Sequence, residues 1–252
     1  MIFADVKAVF FDLDDTLCGY WSASAKGLRE TFEQHGPQGV DVEDMLDHWA
    51  AAFREFFPHA TRPEWYPRYL KSGEPTRTEQ MRRTLERLGS TDLEHAARLS
   101  QAYMEARDKH LELFPEAISV LKMLKTKYPL GLITNGPADI QRMEIATLEI
   151  EEFFDHIFIE GELGFGKPEA EVFRRAAYAV GREPNQILFV GNSFDHDMKP
   201  AIAAGWKTAW MCREGSEAVS SRKQTYEPPK TDGPQPDAKI GDLRELLPML
   251  GT

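Results

Sequence analysis

Four apolar residues in a row, Ala8-Val9-Phe10-Phe11, run directly into Asp12-Leu13-Asp14-Asp15-Thr16. An apolar run without alternation suits a strand buried on both faces, as in a parallel sheet covered by helices. Comparable runs return at Leu130 to Thr134, His156 to Ile159, Ile187 to Val190 and Thr208 to Met211, with helical patterns between them from Leu130 onward. This alternation predicts an α/β fold on a parallel sheet. Ala117, Val120, Leu121 and Leu124 repeat at helical spacing, as do Val172, Phe173, Ala176 and Val180, and Gly181 and Gly205 are placed to stop their helices. The chain returns through Ala238 to Ile240 to a final helix around Asp242 to Leu250.

The interval from about Tyr20 to Leu113 breaks the rhythm, with helical patterns and no convincing strand, and reads as a helical insertion. Val42, Met45, Leu46, Trp49, Phe53 and Phe56 align on one face, and Met81, Leu85 and Leu88 on another. Such aromatic stripes form cores more often than ligand platforms. Trp65, Tyr66, Arg68, Tyr69 and Lys71 are less regular; they suit a solvated loop face, with a substrate entrance as the alternative. Residues 213–237 are polar and carry Pro228, Pro229, Pro234 and Pro236, which predicts a long functional or mobile excursion.

With 252 residues and a formal net charge of -11, the chain has length for a substantial core but not the basic surface of a nucleic-acid binder. A small phosphorylated substrate needs only local cations. The amino-terminal residues lack signal-peptide character and no segment approaches the roughly 20 apolar residues of a membrane span, so the expectation is a cytoplasmic protein with no membrane partner. Cys18 and Cys212 match no metal-ligand spacing and read as free thiols, Cys18 as a packing residue.

The chemistry concentrates where the apolar runs end. If Asp12 to Asp14 stay extended, their carboxylates point to one side and repel, which a bound cation or a retained proton would relieve. The alternative is an ordinary helix-capping turn. Thr134-Asn135-Gly136 after the second run offers neutral donors for a phosphoryl oxygen, or a turn. Lys167 sits in a near match to a nucleotide phosphate loop that Pro168 breaks, leaving a lone cation. Gly191-Asn192-Ser193 begins like a serine-hydrolase elbow, but Asp195 stands where that turn needs glycine. Asn192 and Asp197 are hard oxygen donors suited to magnesium, whereas Asp195 and His196 read as first-turn helix residues.

Taken in order, Asp12-Leu-Asp14-Asp-Thr16, Thr134, Lys167-Pro168 and Gly191-Asn192 with Asp197 resemble the four motifs of the haloacid dehalogenase-like (HAD) hydrolase superfamily, over essentially the whole chain. The resemblance implies a Rossmann-like parallel-sheet core, residues 1–19 and 114–252, and a mobile helical cap, residues 20–113, hinged near Gly19 and Leu113 to Pro115. It implies a phosphatase in which Asp12 is the nucleophile and Asp14 the acid and base. Thr134, Asn135 and Lys167 would hold the phosphoryl group of a small phosphorylated metabolite. Magnesium would bind Asp12, the main-chain carbonyl of Asp14, and Asn192 or Asp197. Asn192 departs from the aspartate usual at its position, which implies weaker magnesium affinity. A 2-haloacid dehalogenase or phosphomutase of the same superfamily, or a catalytically silent binding module, are the alternatives; the carboxyl at Asp14 favours phosphate chemistry.

Overall fold

The structure, a computed structural model, describes residues 2–214, 218–223 and 233–252, apart from the side chain of His59. Its core strands are β1 (Ala8–Phe11), β2 (Leu130–Thr134), β3 (His156–Ile159), β4 (Ile187–Gly191), β5 (Lys207–Met211) and β6 (Ala238–Ile240). They form one parallel sheet in the order β3-β2-β1-β4-β5-β6. The runs read from sequence are all present, β4 and β5 each one residue longer because Gly191 and Lys207 complete the register between them (Gly191 with Trp210, Leu188 with Lys207).

β1 is central and wholly buried, and its alternating side chains supply two cores. Val9 and Phe11 pack on one side of the sheet with Leu132 and Val190 and with Val120, Leu121 and Leu124 of a helix at Ala117–Lys125. Ala8 and Phe10 pack on the other with Ile133, Phe189 and Trp206 and with Val172, Phe173 and Ala176 of a helix at Ala170–Val180. Burial on both faces is why the run needs no polar alternation. Gly181 ends the second helix in the left-handed conformation that glycine adopts without strain.

Of the helices between β1 and β2, five form a lobe apart from the sheet: α1 (Tyr20–His35), α2 (Val42–Ala60), α3 (Tyr66–Lys71), α4 (Glu74–Glu86) and α5 (Leu93–His110). They have their own core, in which Met45, Leu46 and Trp49 of the aromatic stripe meet Leu28, Phe32, Met81, Leu85 and Tyr103. α1 and α5 approach at Gly27, where a Cβ would lie 2.7 Å from the main-chain nitrogen of Arg107. Two chain crossings join this lobe to the sheet side by side: Gly19 N–H donates to Glu112 O at 3.1 Å and Phe114 N–H to Leu17 O at 2.9 Å. The remaining helices are α6 (Ala117–Lys125), α7 (Ala138–Thr147), α8 (Glu160–Leu163), α9 (Ala170–Val180), α10 (Lys199–Ala203) and α11 (Leu246–Leu250).

Of the polar excursion at 213–237, residues 218–223 dock on the lobe: Val219 joins its apolar core, Arg54 donates to Ser220 O at 2.5 Å, and Arg222 pairs with Asp47 at 2.9 Å. Pro228 and Pro229 lie outside the described residues. Among the described residues no helix is long and apolar enough to cross a membrane.

The tightest point of the sheet is Gly131, where a Cβ would fall 2.0 Å from Cε1 of Phe10. Gly131→Ala is expected to lower the free energy of unfolding by about 1 to 3 kcal/mol, the cost of overpacking a closed core, as read from the midpoint of urea denaturation.

Candidate active site

The turn after β1 aims its carboxylates by main-chain bonding. Leu13 O accepts from the N–H groups of Thr16, Leu17 and Cys18, and Asp15 N–H donates to Cys18 O at 2.8 Å, folding residues 13–18 into a compact loop. Asp15 takes the left-handed conformation, φ 57°, which aspartate tolerates better than most residues. Its carboxylate accepts from Trp21 N–H at 3.2 Å, and burial pushes its pKa up to about 7. Cys18 is fully buried and its thiol is pushed well above the ordinary range by burial, which leaves it an inert packing residue.

Asp12, Lys167 and Asp197 meet although they come from three segments far apart in the sequence: the turn after β1, the stretch between α8 and α9, and the turn after β4. The Lys167 ammonium donates to Asp12 Oδ1 at 2.6 Å and to Asp197 Oδ1 at 2.7 Å, with all three residues buried. Thr16 Oγ1 donates to the other oxygen of Asp12 at 3.0 Å. Ser193 N–H holds Asp197 Oδ2 at 2.8 Å in a π-helical turn over Phe194–Met198, which contains Asp195 and His196. Gly191 allows the approach, since a Cβ there would lie 2.5 Å from Asp197 Oδ2. Burial raises the Asp12 pKa to about 6 against the opposing pull of Lys167, while the two carboxylates push the lysine further above its usual value despite its burial. Asn135 clamps the main chain of the lysine, donating from Nδ2 to Lys167 O at 2.6 Å and accepting from Lys167 N–H at 2.8 Å.

Asp12, Asp14, Asn135, Lys167, Asn192 and Asp197 all line one cavity of about 530 Å³ beneath the helical lobe. Thr134 does not line it. Its hydroxyl donates to Gln141 Oε1 at 2.6 Å, and Gln141 Nε2 in turn reaches Asp14 Oδ2 at 3.3 Å and Glu144 Oε2 at 2.8 Å. Asp14 is half-buried, and burial followed by the charge of Glu144 holds its carboxyl well above the ordinary range. Glu144 of α7 is buried opposite Arg107 of α5 at 2.9 Å, an ion pair between a helix flanking the sheet and the lobe. On the far wall Glu160 accepts from Gly136 N–H and from the Tyr66 hydroxyl of α3, each at 3.0 Å.

Gln141, Glu144, Arg107 and Glu160 carry no motif and escape sequence reading, and Asp15, although inside the first motif, is given no role there. Tyr66 and Tyr69, read as a solvated face with a substrate entrance as the alternative, line the cavity, in accord with that alternative.

The donors present suit a hard divalent cation. Two buried carboxylates, Asp12 and Asp197, share one ammonium and leave uncompensated negative charge, and Asn192 adds an amide oxygen to the same cavity. Among the described residues no three His, Cys, Asp or Glu side chains are grouped as a metal site, so an ion here would draw on amide and main-chain oxygen as well.

Removing the ammonium should destabilise the fold independently of any activity. Lys167→Met is expected to lower the free energy of unfolding by about 3 to 5 kcal/mol near neutral pH, the cost of orphaning buried charge. Adding Asp197→Asn should recover part of that loss in the same urea titrations.

Residues 6–205 match the haloacid dehalogenase-like hydrolase family. The chain is 30% identical over 259 residues to a phosphoserine phosphatase of Thermus thermophilus, covering 96% of this chain and 98% of that one. Among solved structures it is similar to the HAD-hydrolase YfnB of Bacillus subtilis, a magnesium-bound form that reveals interdomain movement, with a TM-score of 0.72 at 22% identity over 98% of this chain and 99% of that one. A 2-haloacid dehalogenase of Pseudomonas syringae shares the fold with a TM-score of 0.62 at 24% identity, covering 98% of each chain. With the motif residues converging at the strand ends and the family match spanning most of the sequence, this protein belongs to the haloacid dehalogenase-like hydrolases.

Proposed function

We propose that this hydrolase is a magnesium-dependent phosphatase that cleaves a small phosphorylated metabolite through an aspartyl-phosphate on Asp12, and that it works in the cytoplasm. The observation that carries the reading is the second carboxyl. Asp14 opens on the same cavity as Asp12, and its raised pKa lets it hold a proton for a departing alcohol. A departing halide needs no proton, so the dehalogenase alternative leaves Asp14 without a task. The phosphatase relative from Thermus thermophilus also supports the reading.

In the first step an oxygen of Asp12 attacks phosphorus, the bond from phosphorus to the alcohol oxygen breaks, and Asp14 gives that oxygen its proton. In the second, Asp14 takes a proton from water as that water attacks phosphorus, and the bond to Asp12 breaks to release phosphate. Lys167 keeps Asp12 ionised and faces the transferring group, Asn135 fixes the lysine, and Thr134 joins by turning its hydroxyl from Gln141. Magnesium, when bound, supplies positive charge to the phosphoryl oxygens. Asp12, the main-chain carbonyl of Asp14 and Asn192 would hold it, with Asp197 either a further ligand or the residue that positions Lys167. The helical lobe is the proposed cap, hinged at the paired crossings near Gly19 and Leu113 to Pro115.

A phosphate-release screen over phosphorylated metabolites with magnesium tests the proposal. Activity should vanish in chelator and return with magnesium, Asp12→Asn should lower it by about three orders of magnitude or more, and Asp14→Asn by about 10² to 10⁴. Hydrolysis of a chlorinated acid that persists in chelator would assign the dehalogenase reaction instead. Asn192→Asp, which adds a negative charge beside the ion, should lower the magnesium concentration that gives half-maximal activity.

A further inference from the structure

A second cavity of about 280 Å³ adjoins the first, sharing Asp14, Trp21, Phe57, Tyr69 and Asn135 as walls and extending into the helical lobe. Two guanidinium groups line it. Arg107 is engaged, with Glu144 at 2.9 Å and Asp108 at 3.0 Å. Arg77, on α4, is not: its Nε donates to Ser100 O at 3.2 Å, but among the described residues no carboxylate lies within ion-pair distance and its terminal nitrogens donate to nothing. The nearby Asp139 carboxylate is turned to main-chain N–H groups, those of Gly73 at 3.1 Å and Ile140 at 2.8 Å. Burial and then the charge of Arg107 push the pKa of Arg77 below its usual value, as expected of a cation without its counter-charge. Trp49, in the same wall, has a buried indole N–H with no acceptor among the described residues.

A half-buried guanidinium whose terminal nitrogens are idle, set beside aromatic walls, is unfavourable unless a ligand satisfies it. The cavity begins at Asp14, the proposed proton donor to the leaving oxygen, so it opens a path into the lobe for the leaving alcohol. We propose that this cavity is the leaving-group site and that Arg77 selects phosphomonoesters whose alcohol carries a carboxylate. The planar fork of a guanidinium matches a carboxylate bidentately. The aromatic walls, Tyr20, Trp49, Phe53 and Tyr103 among them, pack on the carbon body. This inference rests on the phosphatase reading and deepens it.

The test uses the full chain with magnesium and a matched pair of substrates, 4-carboxyphenyl phosphate and its neutral 4-carbamoylphenyl analogue, with 4-nitrophenyl phosphate as a general probe. The wild type should favour the acid over the amide by about tenfold or more in kcat/KM. Arg77→Gln should erase that preference, raising KM for the acid about tenfold or more relative to KM for the amide. Arg77→Lys, which keeps the charge and loses the fork, should restore part of the preference. Equal turnover of acid and amide by the wild type overturns the proposal even if a variant fails to fold, and so does an equal loss on both substrates in folded Arg77→Gln. Turnover of 4-nitrophenyl phosphate without an acid preference sinks the Arg77 assignment alone, whereas no phosphate release from any of the three sinks the phosphatase reading with it.

Discussion

The Lys167 ammonium, closed between the carboxylates of Asp12 and Asp197, is the interaction on which the arrangement of the site depends. It joins the turn after β1, the segment between α8 and α9, and the turn after β4, three chain regions far apart in sequence. Sheet order makes the meeting possible. With β1 lying between β2 and β4, the loops leaving these strands open on the crevice where the order reverses, the usual ligand position in an open parallel sheet. Burial makes the meeting necessary, because any one of the three charges alone in that interior would be strongly unfavourable.

Around this centre lies a ring of polar contacts whose task is positional. Asn135 grips the main chain of Lys167, and Gln141 stands between the Thr134 hydroxyl and the Asp14 carboxyl. Glu160 and Glu144 each bind the core on one side and a side chain of the helical lobe on the other, Tyr66 and Arg107 respectively. The proposed chemistry and the proposed leaving-group cavity are thus coupled through residues that touch both: Asp14 lines both cavities, and Gln141 connects it to the lobe-facing Glu144. Residues 218–223 add a further link from β5 to α2.

Sequence reading reached the strands because each is a short apolar run whose burial on both faces leaves a plain signature. It singled out Asp12, Lys167 and Asp197, which the structure brings together, because each follows an apolar run and a parallel sheet presents reactive groups beyond its strands. It missed Gln141, Glu144 and Arg107, since a glutamine, a glutamate and an arginine on amphipathic helices look like any solvated face until the tertiary fold closes over them. Tyr66 and Tyr69 stay open between two readings for a related reason: in a short irregular stretch no periodicity tells a wall from a surface.

What the linear chain determined by itself was the layering, an apolar strand set with helices between and a helical insertion after the first strand, because hydrophobic periodicity is a local property that each segment carries alone. What only the tertiary structure decided was partnership. Whether Arg77 finds a carboxylate, whether Thr134 faces the cavity or Gln141, and which charges share one ammonium all depend on distances between residues remote in sequence, and those distances exist only once the sheet and the lobe have packed.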